Sequence, residues 1–330
     1  MRIVIATAFY PPRPGVHATY AAGIEESLLK LGHEVTVVSA SRALPPVLSH
    51  AVYFLRLFHA LRGASFVLAL DTWSVGMPAY FAARLRGVPL ALRIGGDFLW
   101  ESYVARTGEA VRLSDFYISP CTLSLKERII KRFTRMLLQT AHPLFTTHFQ
   151  RDLWKRVYDI PDTRIRIVEN HVPPKIGTYL PATGLVLVCS GRAIGLKNID
   201  LLRRVVARLA NDHPGLELDT RLMPHNEHQK RVAAAYAVII PSFSEVCSNT
   251  AIDAVALGKP FVMTEDTGTK ERFGACGLFL DTRSESALTH AIESILDPIM
   301  YEKLATNARE LAFAHSWDDI AREIMDEMKK

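Results

Sequence analysis

The sequence predicts an α/β protein built from two consecutive doubly wound units. Three observations carry this expectation: short apolar runs rich in Val, Ile and Leu, longer stretches of helical apolar spacing between them, and a break near residues 172–182, after which the pattern starts again. At 330 residues the chain exceeds the usual size of one domain, so two are expected.

In the first unit the strand candidates are RIVIATA (2–8), EVTVVSA (34–40), SFVLAL (65–70), PLALRI (89–94), LFTTH (144–148) and RIRIVEN (164–170). Continuous apolar runs of this length fit strands buried on both faces, as in a parallel sheet. Between the first two runs, AGIEESLLKLGH (22–33) keeps its apolar residues on one helical face, and Gly32 is placed to end the helix, which completes a βαβ unit. Beyond Pro173, Pro174 and Gly177 the second set follows: LVLVCSG (185–191), LELDTRL (216–222), YAVIIPS (236–242), PFVMTE (260–265) and GLFLD (277–281). A dinucleotide-dependent dehydrogenase would need GxGxxG after a strand. The first strand instead runs into ATAFYPPRPG, which argues against that class.

Composition narrows the partners. With 49% hydrophobic and 22% charged residues the chain is globular. Its four cysteines, Cys121, Cys189, Cys247 and Cys276, show neither CxxC nor Cys/His ligand spacing, which fits a reducing cytoplasm without a zinc site or disulfide framework. The opening MRIVIATAFYPP is too short an apolar run for a signal peptide or a spanning helix, so a soluble or peripherally membrane-bound protein is expected. Residues 1–173 hold 21 Lys+Arg against 13 Asp+Glu, a balance of +8, and residues 174–330 hold 18 against 21, a balance of −3. That asymmetry points to an anionic partner for the first half, or to no more than a basic surface. No nucleic-acid module accompanies the charge, so nucleic acid is not an expected partner.

Two motifs carry chemistry. In PSFSEVCSNTAIDAVALGKP (241–260) a strand end is followed by a helix from about Ser248 to Leu257, stopped by Gly258 and Pro260. Backbone N–H groups at Cys247, Ser248 and Asn249 would then be free to meet phosphate or sugar oxygens at the carboxyl end of a strand. Glu245 and Asp253, eight positions apart, could each hold a pair of vicinal hydroxyls; equally, Asp253 could serve only an ion pair or the helix dipole. In SGRAIGLKNI (190–199), Arg192 and Lys197 flank a loop in which Gly191 and Gly195 permit close backbone approach, and Asn198 opens the next helix. Two cations at a helix start suit a diphosphate, or are surface charges.

Together these stretches resemble the retaining glycosyltransferases of the GT-B fold, glycosyltransferase family 4 (glycosyl transferases group 1). The resemblance extends to AFYPPRPGVHATYAAGIEESLLKLGHEVTVVS, to IVENHVPP and to HSWDDIA near the end. Its most specific element is the family's Glu, seven residues, Glu pattern, present here as Glu245 and Asp253. It implies two Rossmann-like domains facing across a cleft: an acceptor-binding domain over 1–173, a nucleotide-sugar-binding domain over 174–315, and a C-terminal helix over 316–330 returning to the first domain. It implies that Arg192 and Lys197 bind the donor diphosphate, Glu245 the sugar hydroxyls and Asp253 the ribose. Gly191, Ser248, Asn249, Thr250, Thr267 and Gly268 would line the donor, with Gly15 approaching from the first domain. The chain departs from the family in having Asp for the second Glu, and Val246, Cys247, Ser248 and Asn249 where glycines are usual. LRIGGDFLWE (92–101) also lacks the family's histidine. Asp97 is the candidate to orient the acceptor hydroxyl or, alternatively, a helix cap, with Gly96 and His17 on the acceptor side.

The implied reaction moves a sugar from a UDP- or GDP-sugar to an acceptor hydroxyl with retained configuration, in cell-envelope polysaccharide or glycolipid synthesis. No cofactor and no metal are expected, because no DxD motif sits in a strand-end loop and the adjacent acids Asp318 and Asp319 fall in a terminal helix. The expected partners are the nucleotide-sugar donor and a sugar, glycan or lipid-linked acceptor. SLKERIIKRFTRMLLQTA (124–141) pairs a Ser124/Glu127 capping box with basic residues and the stripe Ile129, Ile130, Phe133, Leu137 and Leu138. It could lie on anionic lipid at the inner face of the cell membrane, or pack on the sheet. A nucleotide-sugar epimerase and a non-catalytic sugar-nucleotide binding protein are the alternatives.

Overall fold

The computed structural model describes residues 1–13, 15–40, 46–119, 121–175, 178–189, 191 and 194–329. Up to residue 171 it contains strands β1 (Arg2–Thr7), β2 (Glu34–Ser39), β3 (Phe66–Ala69), β4 (Leu90–Ile94), β5 (His142–Phe145) and β6 (Arg166–Ile167), with helices α1 (Val16–Lys30), α2 (Pro46–Ala60), α3 (Gly76–Arg86), α4 (Phe98–Thr107), α5 (Leu113–Phe116), α6 (Leu125–Thr140) and α7 (His148–Tyr158). Beyond it come β7 (Leu185–Val188), β8 (Leu216–Asp219), β9 (Ala237–Ile240), β10 (Phe261–Thr264) and β11 (Gly277–Leu280). The helices there are α8 (Ile199–Leu209), α9 (His225–Ala234), α10 (Asn249–Ala256), α11 (Lys270–Phe273), α12 (Glu285–Leu296), α13 (Pro298–Glu310) and α14 (Trp317–Met328).

Each predicted strand run contains a strand, and every pairing is parallel. β5 starts two residues earlier than the run LFTTH suggests: Pro143 pairs with Leu92 inside the ladder, while Thr147 leaves the strand to cap α7 through the Gln150 N–H.

The chain divides into two compact units. Unit 1 comprises Met1–Leu99, Thr122–His171 and His315–Lys330; unit 2 comprises Trp100–Cys121 and Val172–Ala314. The sheet of unit 1 runs β2-β1-β3-β4-β5-β6, and that of unit 2 runs β11-β10-β9-β7-β8. In each sheet the second strand lies on one side of the first and the third on the other. The winding therefore reverses between β1 and β3, and again between β7 and β9, and the carboxyl ends of strands beside such a reversal are where doubly wound sheets bind ligands.

In unit 1, Ile3, Ile5, Ile24, Leu28, Phe66 and Leu68 share one buried cluster with Ile320, Ile324 and Met325 of α14. The returning helix is thus part of that core. Trp317 meets Tyr20 edge to face at 5.3 Å and lies over Gly23, where a Cβ would stand 2.5 Å from the indole. In unit 2 the central strands β9 and β10 are buried on both faces. Leu187, Ile239 and Val262 meet α8 and α12, and their neighbours Val188, Val238, Ile240, Phe261 and Met263 meet α10 and the end of α13, as the two-residue period of a strand requires.

Helix α6 has the capping box read from its sequence. Its Ile130, Phe133, Leu137 and Leu138 are buried, Phe133 against Tyr80 of α3 with ring centroids 5.9 Å apart, whereas Ile129 of the expected stripe is exposed. The stretch 100–121, read from the sequence as part of the first domain, groups with unit 2. It is tied there by hydrogen bonds and ion pairs to residues 131 to 173 positions away, which periodicity does not register.

Candidate functional site

At the reversal point of unit 2, β7 leads through Cys189 to the short 3-10 turn Gly195–Lys197, and β9 leads through Ser242 to Glu245. The two loops meet: Lys197 Nζ donates to Glu245 Oε1 at 2.5 Å, and the same oxygen accepts from Ser242 Oγ at 2.7 Å. Burial presses the Lys197 ammonium down. The attraction and hydrogen bond of Glu245, helped by the field of Glu101 and Cys189, outweigh it and hold the pKa above the ordinary lysine value. The backbone of Glu245 is also fixed, forming a parallel bridge with Thr267 and donating its N–H to Asp266 O at 3.1 Å.

Helix α10 starts directly after this loop, with Ser248 as N-cap accepting from the Ala251 N–H. The backbone N–H of Ser248 does not stand free as the sequence suggested; it donates to Thr269 Oγ1 at 2.9 Å, a tie across 21 residues. Thr267 accepts from the Thr269 N–H, and the Gly268 N–H donates to Val246 O, so this predicted loop does lie beside the Glu245 loop. Asn249 and Thr250 form the first turn of α10.

Asp253, one turn further, is buried against α9. It accepts from Gln229 Nε2 at 3.3 Å and has His225 Nδ1 at 3.8 Å. Burial raises its pKa, opposed by His225 and the Gln229 hydrogen bond. Asn198 precedes α8 but in the left-handed conformation; its side chain donates to Thr282 O at 2.7 Å rather than capping the helix. A Cβ added at Gly191 would stand in ordinary contact with the Lys197 stem. Arg192 lies outside the described residues.

Unit 1 has its own reversal point, where Gly15 caps α1 at φ 143° and His17 sits in the first turn. His17 Nδ1 is buried without a hydrogen-bond partner among the described residues, and burial, with Arg93 adding to it and Asp71 opposing, lowers its pKa. Gly96 O accepts from Gln150 Nε2 at 2.8 Å. Asp97 is 2% exposed and accepts from Trp154 Nε1 at 2.8 Å. The indole thus engages one oxygen of the Asp97 carboxylate within unit 1.

Sequence reading missed Ser242, although it is the last residue of the run YAVIIPS and so sits at a strand's carboxyl end. It also missed Ser244, Asp266 and Thr269, whose partners are distant in sequence. What the geometry of unit 2 assembles is a cation, a carboxylate and a helix start at the ends of adjacent strands, a set that can hold an anionic group beside hydroxyls.

Residues 220–298 match the profile of the family described as "Glycosyl transferases group 1". Among curated proteins, the D-inositol 3-phosphate glycosyltransferase of Acidothermus cellulolyticus is 26% identical over 183 residues, covering 44% of this chain and 41% of that protein. The chain thus spans about half the length, or less, of the first curated relatives it matches. Among solved structures, a sucrose-phosphate synthase from Thermosynechococcus elongatus superposes with a TM-score of 0.74 at 16% identity, over 99% of this chain and 98% of that one. The Anabaena HepE protein in complex with UDP-glucose superposes with a TM-score of 0.70 at 13% identity, over 100% and 99%. At such identities the likeness speaks for the fold, and that fold is GT-B, each unit being Rossmann-like.

Proposed function

From the glycosyl transferases group 1 pattern in unit 2 and the GT-B fold of the chain, we propose that the protein is a glycosyltransferase using a nucleotide diphosphate sugar. The observation that carries the reading is the Lys197–Glu245 pair beside the start of α10, at the reversal point of the unit that contains the matched segment. Lys197, with Arg192, takes the diphosphate, Glu245 the sugar hydroxyls and Asp253 the ribose. Transfer breaks the bond from the anomeric carbon to the diphosphate oxygen and forms one to the acceptor oxygen, whose proton passes to the departing phosphate. The reaction proceeds with retained configuration. Lys197 and the helix start stabilise the leaving charge, a role for which no metal is needed. A chelator is expected to leave activity intact; complete loss restored by magnesium or manganese would overturn that part.

The acceptor is a sugar, glycan or lipid-linked molecule of cell-envelope polysaccharide or glycolipid synthesis, reached from the cytoplasmic side. Contact with anionic membrane runs through the exposed side of α6, where Lys126, Arg128, Lys131, Arg132 and Arg135 accompany the exposed Leu125 and Ile129. Sedimentation with anionic but not zwitterionic liposomes is expected, and absence of binding at low salt would remove this contact. Among the described residues no helix is long and apolar enough to cross a membrane.

The experiment for the reaction is turnover across UDP-, GDP-, ADP- and dTDP-sugars. One donor should be hydrolysed or transferred by the wild type, and Lys197→Ala should slow it by about a hundredfold or more. Binding without turnover of any donor, with or without candidate acceptors, would replace the enzyme with a sugar-nucleotide binding protein.

A further inference from the structure

The stretch 100–121 of unit 2 has a small core of its own. Trp100, Tyr103, Val104, Leu113 and Phe116 are buried, Trp100 Nε1 donates to Val111 O at 2.9 Å, and the rings of Tyr103 and Phe116 lie 5.1 Å apart. Two kinds of bond fasten it to the strand ends of unit 2. The outer set is charged: Arg112 pairs with Glu265 at 3.0 Å, and Arg283 pairs with Asp115 at 3.5 Å and donates to Ala110 O at 3.3 Å, while Arg112 and Arg283 are each oriented by a local carboxylate, Asp115 at 2.8 Å and Asp281 at 2.7 Å. The inner set is buried: the Leu113 N–H donates to Ser244 Oγ at 2.7 Å, the Ser114 N–H donates to Asp266 Oδ2 at 3.3 Å, and Ser244 donates to the same carboxylate oxygen.

These buried residues are the ones that frame Glu245. Ser244 precedes it in the chain, and the carbonyl of Asp266 receives its N–H at 3.1 Å. The side chain of Asp266 thus holds the stretch while its main chain holds Glu245. Ser244 and Asp266 are 3% and 6% exposed, so a bond lost there is not readily replaced by water.

The geometry points to residues 100–121 as a strap that forms a wall of the donor site and positions Glu245 through Ser244 and Asp266, making the strap a determinant of sugar recognition. This rests on the glycosyltransferase reading, because Glu245 is there assigned to the sugar. The ionic pairs act as the outer latch, and the inner hydrogen bonds carry the positioning. Ser244 and Asp266 are positioning residues in this account, since they act on the sugar only through Glu245.

The test uses the full chain with Arg112→Gln/Arg283→Gln, and independently Ser244→Ala with Ser244→Thr as the variant that keeps the hydroxyl. Hydrogen exchange is followed in peptides covering 113–116 and 244–247, and calorimetry compares UDP-glucose with UDP and GDP-mannose with GDP. Loosening the strap should speed exchange in both peptides. It should weaken the sugar nucleotide by about tenfold while the bare nucleoside diphosphate binds as before, because a small displacement of a positioned group is costly where that group touches the ligand. Ser244→Thr should restore the difference. Faster exchange at 113–116 alone, or equal weakening of sugar nucleotide and nucleoside diphosphate, would overturn the strap's role. If the wild type binds neither pair, the glycosyltransferase reading fails for those donors, while the exchange data still decide whether the strap holds Glu245.

Discussion

Asp253 is a buried carboxylate whose neighbours only partly offset its desolvation, leaving its pKa above the ordinary 3.8. A carboxyl group raised in this way favours the folded state most when it is protonated. Its contribution is fully present below the unfolded pKa and is lost as pH rises through the folded value, so at neutral pH the charged form is a standing cost. Asp253→Asn is therefore expected to stabilise the ligand-free protein at neutral pH, read as a higher melting temperature. The same variant should weaken UDP and GDP if the ribose assignment holds. A thermal melt and calorimetry on one preparation check both, and a lower melting temperature would show that the Gln229 and His225 contacts outweigh the burial. At this scale the sequence singled out Lys197, Glu245 and Asp253 as candidates. It did not expose that Lys197 and Glu245 are bonded to each other while Asp253 belongs to a separate cluster on α9, because side-chain partners depend on which loops the sheet order brings together.

Among the elements, helix α10 was legible because its helical character and the terminating Gly258 agree, and Gly258 does take a positive φ of 68° after the last turn. Ser248→Ala should cost about 1 kcal/mol through the lost cap. Helix α1 makes a sharper case. Gly23 lies under the Trp317 ring, so Gly23→Ala must push α14 off α1 despite the better helix propensity of alanine. A loss of about 1–3 kcal/mol is expected from this overpacking, read as a lower denaturant midpoint, and a gain in stability would mean that Trp317 can swing aside at no cost. The four-residue α5 was not legible: too short to show a period, it is held by the Ser244 and Asp266 bonds rather than by propensity.

For the whole molecule, the pattern of strands and helices read along the chain delivers both parallel sheets, but not the membership of each unit. Unit 1 is closed by the last helix, whose Ile320, Ala321, Ile324 and Met325 are fully buried with the first strand and first helix. Truncation after Ala314 removes three large apolar side chains worth about 1.5–3 kcal/mol each, with the rest of α14. Unit 1 should then lose its cooperative unfolding while unit 2 keeps its own, visible as one surviving calorimetric transition; two unchanged transitions would show that the returning helix is dispensable. By itself the sequence determined what is local and periodic: the eleven strands, the capping box of α6, the break near residue 172, and the placing of Lys197 and Glu245 in loops that follow strands. Only the tertiary structure decided that Lys197 meets Glu245, that Ser248 gives its N–H to Thr269, and that residues 100–121 join unit 2. Those outcomes depend on pairings across 21 to 173 residues, which arise from sheet order and leave no period in the chain.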